Sequence, residues 1–268
     1  MDESRRLRLW KRIRAGLLHL ALSAVLATVI VLLISRLWYP DELFALARGR
    51  DIFFLLLTVD IVLGPTLTLV VFDVRKRWRE LGRDLAVIGA LQLGAMIYGL
   101  SVVLGGRPAY VVYNAGQFNV VLADELSPGA ASSRVPVPAS STASVVTPDA
   151  PWWGPQLVGA RLPQGNDERN DILFSSAAGG ADVFEMPRYF VPYDEVRAEA
   201  AKRSRTVAEL ARELRRSERI VSEAARRVGG DGKDVGLLPV VVRRTTAIAA
   251  VRRTDGQLLG IAALAEGS

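Results

Sequence analysis

Three apolar runs, at 15–37, 52–72 and 85–104, constrain this chain more than any other feature. Each is roughly 20 residues long, which covers about 30 Å of hydrocarbon at about 1.5 Å per residue. Lipid offers no partner to peptide N–H and C=O groups, so each run is expected to be a helix. The first run is longer than the core of a signal peptide and has no clear A-x-A-like cleavage site before Arg36, so it reads as a retained helix. Half of the 268 residues are apolar. They concentrate before residue 105, whereas charge concentrates after residue 160. The reading is a basic tail at 1–14, a three-helix transmembrane part at 15–104, and a water-facing domain at 105–268.

The net charge of +6 is carried almost wholly by arginine. Its placement argues for membrane topology rather than nucleic-acid binding. Arg5, Arg6, Arg8, Lys11, Arg12 and Arg14 abut the first run. Arg75, Lys76, Arg77, Arg79 and Arg83 lie between the second and third. Between the first and second, Arg36, Arg48 and Arg50 are balanced by Asp41, Glu42 and Asp51. The positive-inside rule then puts the tail and the second loop in the cytoplasm. With three crossings, the domain lies outside, which is the periplasm in a bacterium with two membranes. The basic tail suits contact with anionic lipid headgroups.

Polar residues inside the runs are the candidate site. Asp60 lies near the middle of the second run, where a charge costs roughly 2.5–3.5 kcal/mol on insertion scales unless paired, wetted or protonated. Gly64, four residues on, shares its face, and Pro65 removes an intrahelical hydrogen bond and kinks the helix. Thr66 and Thr68 can satisfy the carbonyls this frees. Gln92 lies in the third run. His19, the only histidine, lies about one turn inside the first and reads as an interface residue. As a set, these groups serve to glue helices together, to receive a partner helix, or to handle protons or ions.

The water-facing part has strand signals at 109–113 and 118–122, separated by an Asn114-Ala115-Gly116-Gln117 hairpin break. Residues 127–151, rich in Ser, Ala, Pro and Val, read as a flexible loop. Helix is expected over 194–228, as one or two pieces, with a Thr206–Glu209 capping box. Its arginines are expected to pair with Glu209, Glu213 and Glu223 at i+3 or i+4, and Asp194 and Glu195 to cap its start. Strands follow at 238–242, 247–253 and 257–264, with Asp255-Gly256 as a two-residue turn. The fold class is therefore membrane all-α followed by an α+β domain with an antiparallel sheet.

No catalytic constellation is present. There is no G-x-S-x-G, H-E-x-x-H, Walker A or dinucleotide motif. The lack of cysteine excludes disulfides and thiolate-bound metals, and the single histidine lies in an apolar run. No cofactor or metal is expected. Ser175-Ser176 reads as a turn. Trp152-Trp153 could stack on sugar or lie at a membrane interface, with ordinary packing as the plainer reading.

Four stretches resemble a known family. The first is Ala15-Gly16-Leu17-Leu18-His19-Leu20 after the basic cluster. The second is Trp38-Tyr39-Pro40 with Gly49-Arg50, leading into Val59-Asp60-Ile61-Val62-Leu63-Gly64-Pro65-Thr66-Leu67-Thr68-Leu69. The third joins Asp84-Leu85-Ala86-Val87-Ile88, Leu91-Gln92-Leu93, Tyr98-Gly99-Leu100 and Arg107-Pro108-Ala109-Tyr110. The fourth is Leu157-Val158-Gly159-Ala160-Arg161-Leu162-Pro163, then Pro187-Arg188-Tyr189-Phe190-Val191-Pro192-Tyr193. In this order they resemble the type IV pilin accessory proteins of the TfpX/TfpZ kind, and the 127–151 stretch departs from that pattern. The resemblance implies a non-enzymatic inner-membrane protein that assists assembly or surface display of a type IV pilin, and it assigns no active-site residues. A membrane-anchored periplasmic sensor, or an enzyme acting on a lipid-linked or periplasmic substrate, is the alternative. Self-association is not fixed by the sequence.

Overall fold

The computed structural model describes residues 3–39, 42–46, 58, 61–62, 64–71, 77–126, 151–229, 232–243 and 245–265. The chain forms two compact units. One comprises Met1–Arg36 and Arg48–Gly105, the other Leu37–Ala47 and Gly106–Ser268. They are called here the helical and the sheet unit.

In the helical unit, α1 (Glu3–Leu37) begins within the basic tail. Its span-like portion is Leu9–Leu37. Among its positions, Gly16, Ala27 and Ile34 are buried and His19, Ser23 and Ile30 are half-buried. The spacing of three to four puts them on one stripe. The last long helix, Trp78–Gly105, buries Leu81, Ile88, Gly99 and Val103 by the same periodicity. The opposite faces expose Leu17, Val25, Leu91 and Ile97. A core helix of a water-soluble domain hides such residues, whereas a lipid-facing helix presents them.

The sequence predicts three spanning helices. Among the described residues, two are long and apolar enough to cross a membrane, Leu9–Leu37 and Trp78–Gly105. The run at 52–72 lies partly outside the described residues, and so does Asp60. Its described residues 58, 61–62 and 64–71 are helical. The expected loop is likewise undescribed over 127–150.

In the sheet unit, α2 (Leu43–Leu46) is a single turn in the stretch that follows α1; the helix Trp78–Gly105 is α3. Seven strands follow: β1 (Pro108–Asn114), β2 (Gln117–Leu122), β3 (Gln156–Ala160), β4 (Phe190–Pro192), β5 (Val235–Val242), β6 (Thr245–Arg252) and β7 (Leu258–Ala263). They form one sheet in the order β4-β3-β1-β2-β5-β6-β7. Four helices intervene: α4 (Asn166–Ala177), α5 (Arg197–Arg203), α6 (Val207–Leu214) and α7 (Glu218–Arg227).

The expectation of an antiparallel sheet is corrected: the sheet is mixed. The β1–β2, β3–β4, β5–β6 and β6–β7 pairs are antiparallel, but β3 runs parallel to β1 and β5 parallel to β2. A parallel neighbour needs a long crossover, and the helices between β2 and β5 supply it. β1 is buried over its first six residues, the continuous apolar pattern of a strand covered on both faces.

The β1–β2 turn is as expected. Ala115 and Gly116 both have positive φ, 50° and 95°, the geometry of the two-residue turn that matches strand twist. Arg205 Nη1 donates to the Gly116 carbonyl at 3.0 Å and holds it from the α5–α6 link. The second predicted turn differs. Arg252 N donates to the Gln257 carbonyl at 2.9 Å, so the loop is longer than Asp255-Gly256, and of these two only Gly256 has positive φ.

The helical stretch is three pieces rather than one or two. Thr206 and Glu209 form the predicted capping box on α6. Arg215 then takes a left-handed conformation, and Ser217 caps α7. Asp194 and Glu195 do not cap: they lie in a 3-10 turn, paired with Arg197 and Arg161. Of the expected helix-face pairs, Arg219–Glu223 forms at i,i+4, Glu213 pairs instead with Arg205, and Glu209 is taken by the cap. Ser175 and Ser176, expected in a turn, lie instead in the last turn of α4.

Among the described residues, two apolar clusters pack on the sheet. One joins Tyr110, Val112, Val121, Val158 and Phe190 with Ile172 of α4. The other packs Leu210, Val221 and Ala225 of α6 and α7 on Leu237, Ile248 and Ala262.

Candidate functional site

The helical unit contains an apolar groove of about 700 Å3. One wall is α1, with Leu18, Leu22 and Leu26, and the other is α3, with Leu93, Met96 and Leu100. The helical residues of the middle run contribute Ile61 and Thr68. Four polar side chains reach it: His19, Ser23, Thr68 and Gln92.

Three of these are joined. His19 Nδ1 is hydrogen-bonded to Thr68 Oγ1 at 2.7 Å, and His19 Nε2 to Gln92 Oε1 at 3.1 Å. One imidazole tautomer satisfies both contacts: Nε2–H donates to Gln92, and Nδ1 accepts from the Thr68 hydroxyl. Thr68 is 3% exposed. The three helical segments are thus tied by one side chain from each.

Gly64 belongs to the same place. A Cβ added there would meet Gln92 Nε2 at 2.0 Å and His19 Nε2 at 3.1 Å. A side chain here would displace the Gln92 amide, so the glycine keeps room for the hydrogen bond between His19 and Gln92. Pro65 is buried beside it. Thr66 Oγ1 donates to the Val62 carbonyl at 2.6 Å, the back-bond expected next to a proline.

Of the five predicted site residues, the structure therefore brings together His19, Gly64 and Gln92, and sets Pro65 next to them. Asp60 lies outside the described residues. His19, read from sequence as an interface residue, is engaged on both ring nitrogens inside the bundle. Thr68 is the member the sequence reading assigned to a different task, since its spacing of four from Gly64 gives its face but not its partner. Among the described residues, no group of three or more acidic or histidine side chains could hold a metal ion.

The sheet unit carries a second contact that bears on function. The segment after α1 is packed into it: Tyr39, Leu43 and Leu46 are buried. Glu42 pairs with Arg227 of α7 at 2.8 Å and accepts the Ala263 N–H of β7 at 2.7 Å. Burial pushes the Tyr39 phenol up to about 12, and burial also lowers the nearby Arg107 guanidinium below its ordinary value. Arg243 is held between Asp124 and Glu125 at 2.8 Å to each. Nothing local in the sequence marks these pairings, which join residues more than a hundred positions apart.

Residues 7–41 match the family described as fimbrial assembly protein FimB, a stretch that covers most of α1, including His19. The fimbrial assembly protein of serogroup I from Dichelobacter nodosus is 25% identical over 234 residues, 85% of each chain. The serogroup E1 protein of the same organism gives the same values. No solved structure matches the chain significantly. The fimbrial assembly protein of D. nodosus serogroups C1 and C2 is 32% identical over 114 residues, 41% of this chain and 87% of its own length, and the chain belongs to this fimbrial assembly protein family, FimB.

Proposed function

We propose that this protein is a non-enzymatic accessory factor of the bacterial inner membrane that assists assembly or surface display of a type IV pilin by receiving the pilin's apolar helix in the groove between α1 and α3. The observation that carries this reading is the groove itself. Among the described residues its walls are largely apolar, and three of its four polar side chains join in one cluster around His19. An apolar helix with a polar side chain at the matching depth fits such a surface, because interhelical hydrogen bonds and close packing, not hydrophobicity, drive association in lipid.

The topology this requires has three crossings. Residues 38–46 and the strands beyond residue 106 belong to the same unit, tied through Glu42 and Arg227, so both lie on one side of the bilayer. If α3 crosses once, the chain between residues 46 and 78 crosses as well, and the helical residues 61–62 and 64–71 are its part of that passage. The basic residues before α1 and before α3 assign the opposite side to the cytoplasm. The sheet unit then lies in the periplasm, beside the pilin's soluble head.

The test is photocrosslinking in the membrane. A photoreactive residue at Leu93, inside the groove, is expected to capture pilin, and one at Leu91, on the outward face, to capture lipid only. Pilin adducts at both positions, or at neither in cells that assemble pili, would refute the groove as the docking site.

A further inference from the structure

Trp152 and Trp153 are 64% and 76% exposed, although a tryptophan in a well-packed domain usually hides its ring. Their surroundings explain the exposure. Trp38, the first residue beyond α1, donates its indole Nε1–H to the Trp152 carbonyl at 2.8 Å. Arg107, the second residue beyond α3, sets its guanidinium 5.4 Å from the centre of the Trp152 ring, and its Nε donates to the Pro151 carbonyl at 3.4 Å. A Cβ added at Gly154 would stand 3.8 Å from the carbonyl of Leu37, the last residue of α1. All of these contacts lie within the sheet unit. Segment 151–154 is therefore pinned to the two chain positions at which the long apolar helices end.

We propose that Trp152 and Trp153, together with Trp38, form an aromatic anchor seated in the headgroup layer of the leaflet next to the sheet unit. Indole suits this layer because its ring partitions out of water while its N–H keeps a polar partner. Arg107 adds a cation at phosphate depth, with its stem lying along apolar surface. The anchor holds the sheet unit against the bilayer at a further point, beyond its three covalent links to the helical unit. It rests on the membrane reading above but not on pilin as the partner.

The experiment uses the full chain in phosphatidylcholine vesicles whose acyl chains are brominated either near the carbonyl or deep in the chain. The emission of the pair is the difference between wild type and the W152F/W153F variant. It is expected to be blue-shifted, lost in shallow-brominated vesicles and largely kept in deep-brominated ones. Emission at the wavelength of a hydrated indole, unaffected by either lipid and quenched by aqueous iodide, overturns the anchor; protection from iodide by added saccharide would assign the pair to sugar stacking instead. A W10F/W38F/W78F variant, which retains only the pair, gives the same reading should the double variant fold poorly. Flotation separates the failures: a chain that floats with vesicles but keeps its emission refutes only the anchor, and one that does not float refutes the membrane reading itself.

Discussion

Leu210 in α6 and Leu91 in α3 are the same side chain with opposite environments: 0% exposed in the sheet unit and 67% exposed in the helical unit. The contrast extends to whole elements. The sheet unit turns most of its large apolar residues inward and leaves arginines and carboxylates at the surface. The helical unit turns Leu17, Val25, Leu91 and Ile97 outward and places its small and polar residues, Gly16, Gly64, His19, Thr68 and Gln92, between helices. Each arrangement suits a different solvent. In water, burial of a leucine is worth about 1.5–3 kcal/mol, and that drives the sheet unit together. In lipid the same leucine gains nothing by moving inward, so close approach and a few hydrogen bonds are what remains to hold helices in place.

The sharpest way to break this comparison is to delete apolar mass from both units. Phe118 is fully buried, with its ring centre 5.4 Å from that of Tyr113 and 6.0 Å from that of Tyr193. Phe118→Ala is expected to destabilise the sheet unit by about 3–5 kcal/mol through lost transfer energy and a residual cavity. Leu91→Ala removes nearly as much apolar mass and is expected to change the stability of the protein in lipid by no more than about 0.5 kcal/mol. Denaturant titrations of the two variants in vesicles, read by circular dichroism, measure both. Equal losses would mean that α3 packs its outer face in protein.

Alkaline pH separates the units by a second route. Tyr39 and Tyr113, both of the sheet unit, have their phenols pushed up to about 12, chiefly by burial, and Tyr193 is pushed higher still, again mainly by burial. The folded state therefore holds its phenol protons more tightly than the unfolded chain, whose tyrosines ionise near pH 10. The stability these residues contribute is complete below about pH 10 and is lost as pH rises toward 12 and beyond, by roughly 2–3 kcal/mol for each of the first two. Phenolate absorbance and loss of sheet signal are expected to rise together across that window. Tyrosine ionisation that runs ahead of unfolding would show that these rings are accessible to hydroxide in the native sheet.

How much of each unit could be read from sequence follows from the same physics. Two of the three expected spans, found at Leu9–Leu37 and Trp78–Gly105, announce themselves locally, because a span in lipid satisfies its own backbone and needs only length and apolarity. The hairpin at Asn114–Gln117 and the Thr206–Glu209 cap were legible for the same reason: their hydrogen bonds close within a few residues. Parallel pairing was not, since Phe118 meets Val240 and Tyr110 meets Gln156 across stretches that carry no mark of register. β3 and β4 were missed as strands because they are short and β3 contains Gly159, which weakens strand propensity. The candidate site shows both cases. Gly64 and Gln92 stood out as polar or small residues in apolar runs, while the role of Thr68 depended on His19, a partner 49 positions away.

A small effect is also expected at that cluster, and it is the one that distinguishes holding the bundle from receiving a partner. Gln92→Leu removes the hydrogen bond to His19 and leaves an apolar side chain of similar size. Hydrogen bonds between helices in lipid average about 0.6 kcal/mol and reach about 1.7, so unfolding of the helical unit in mixed detergent micelles is expected to shift by that amount or less. If the cluster serves only to glue the helices, piliation should survive so small a change. If it lies where the pilin helix docks, surface pili are expected to fall while the unfolding midpoint hardly moves. A loss of several kcal/mol would instead show that the helical unit depends on its polar contacts as heavily as the sheet unit depends on Phe118, and the division between the two would fail at its clearest point.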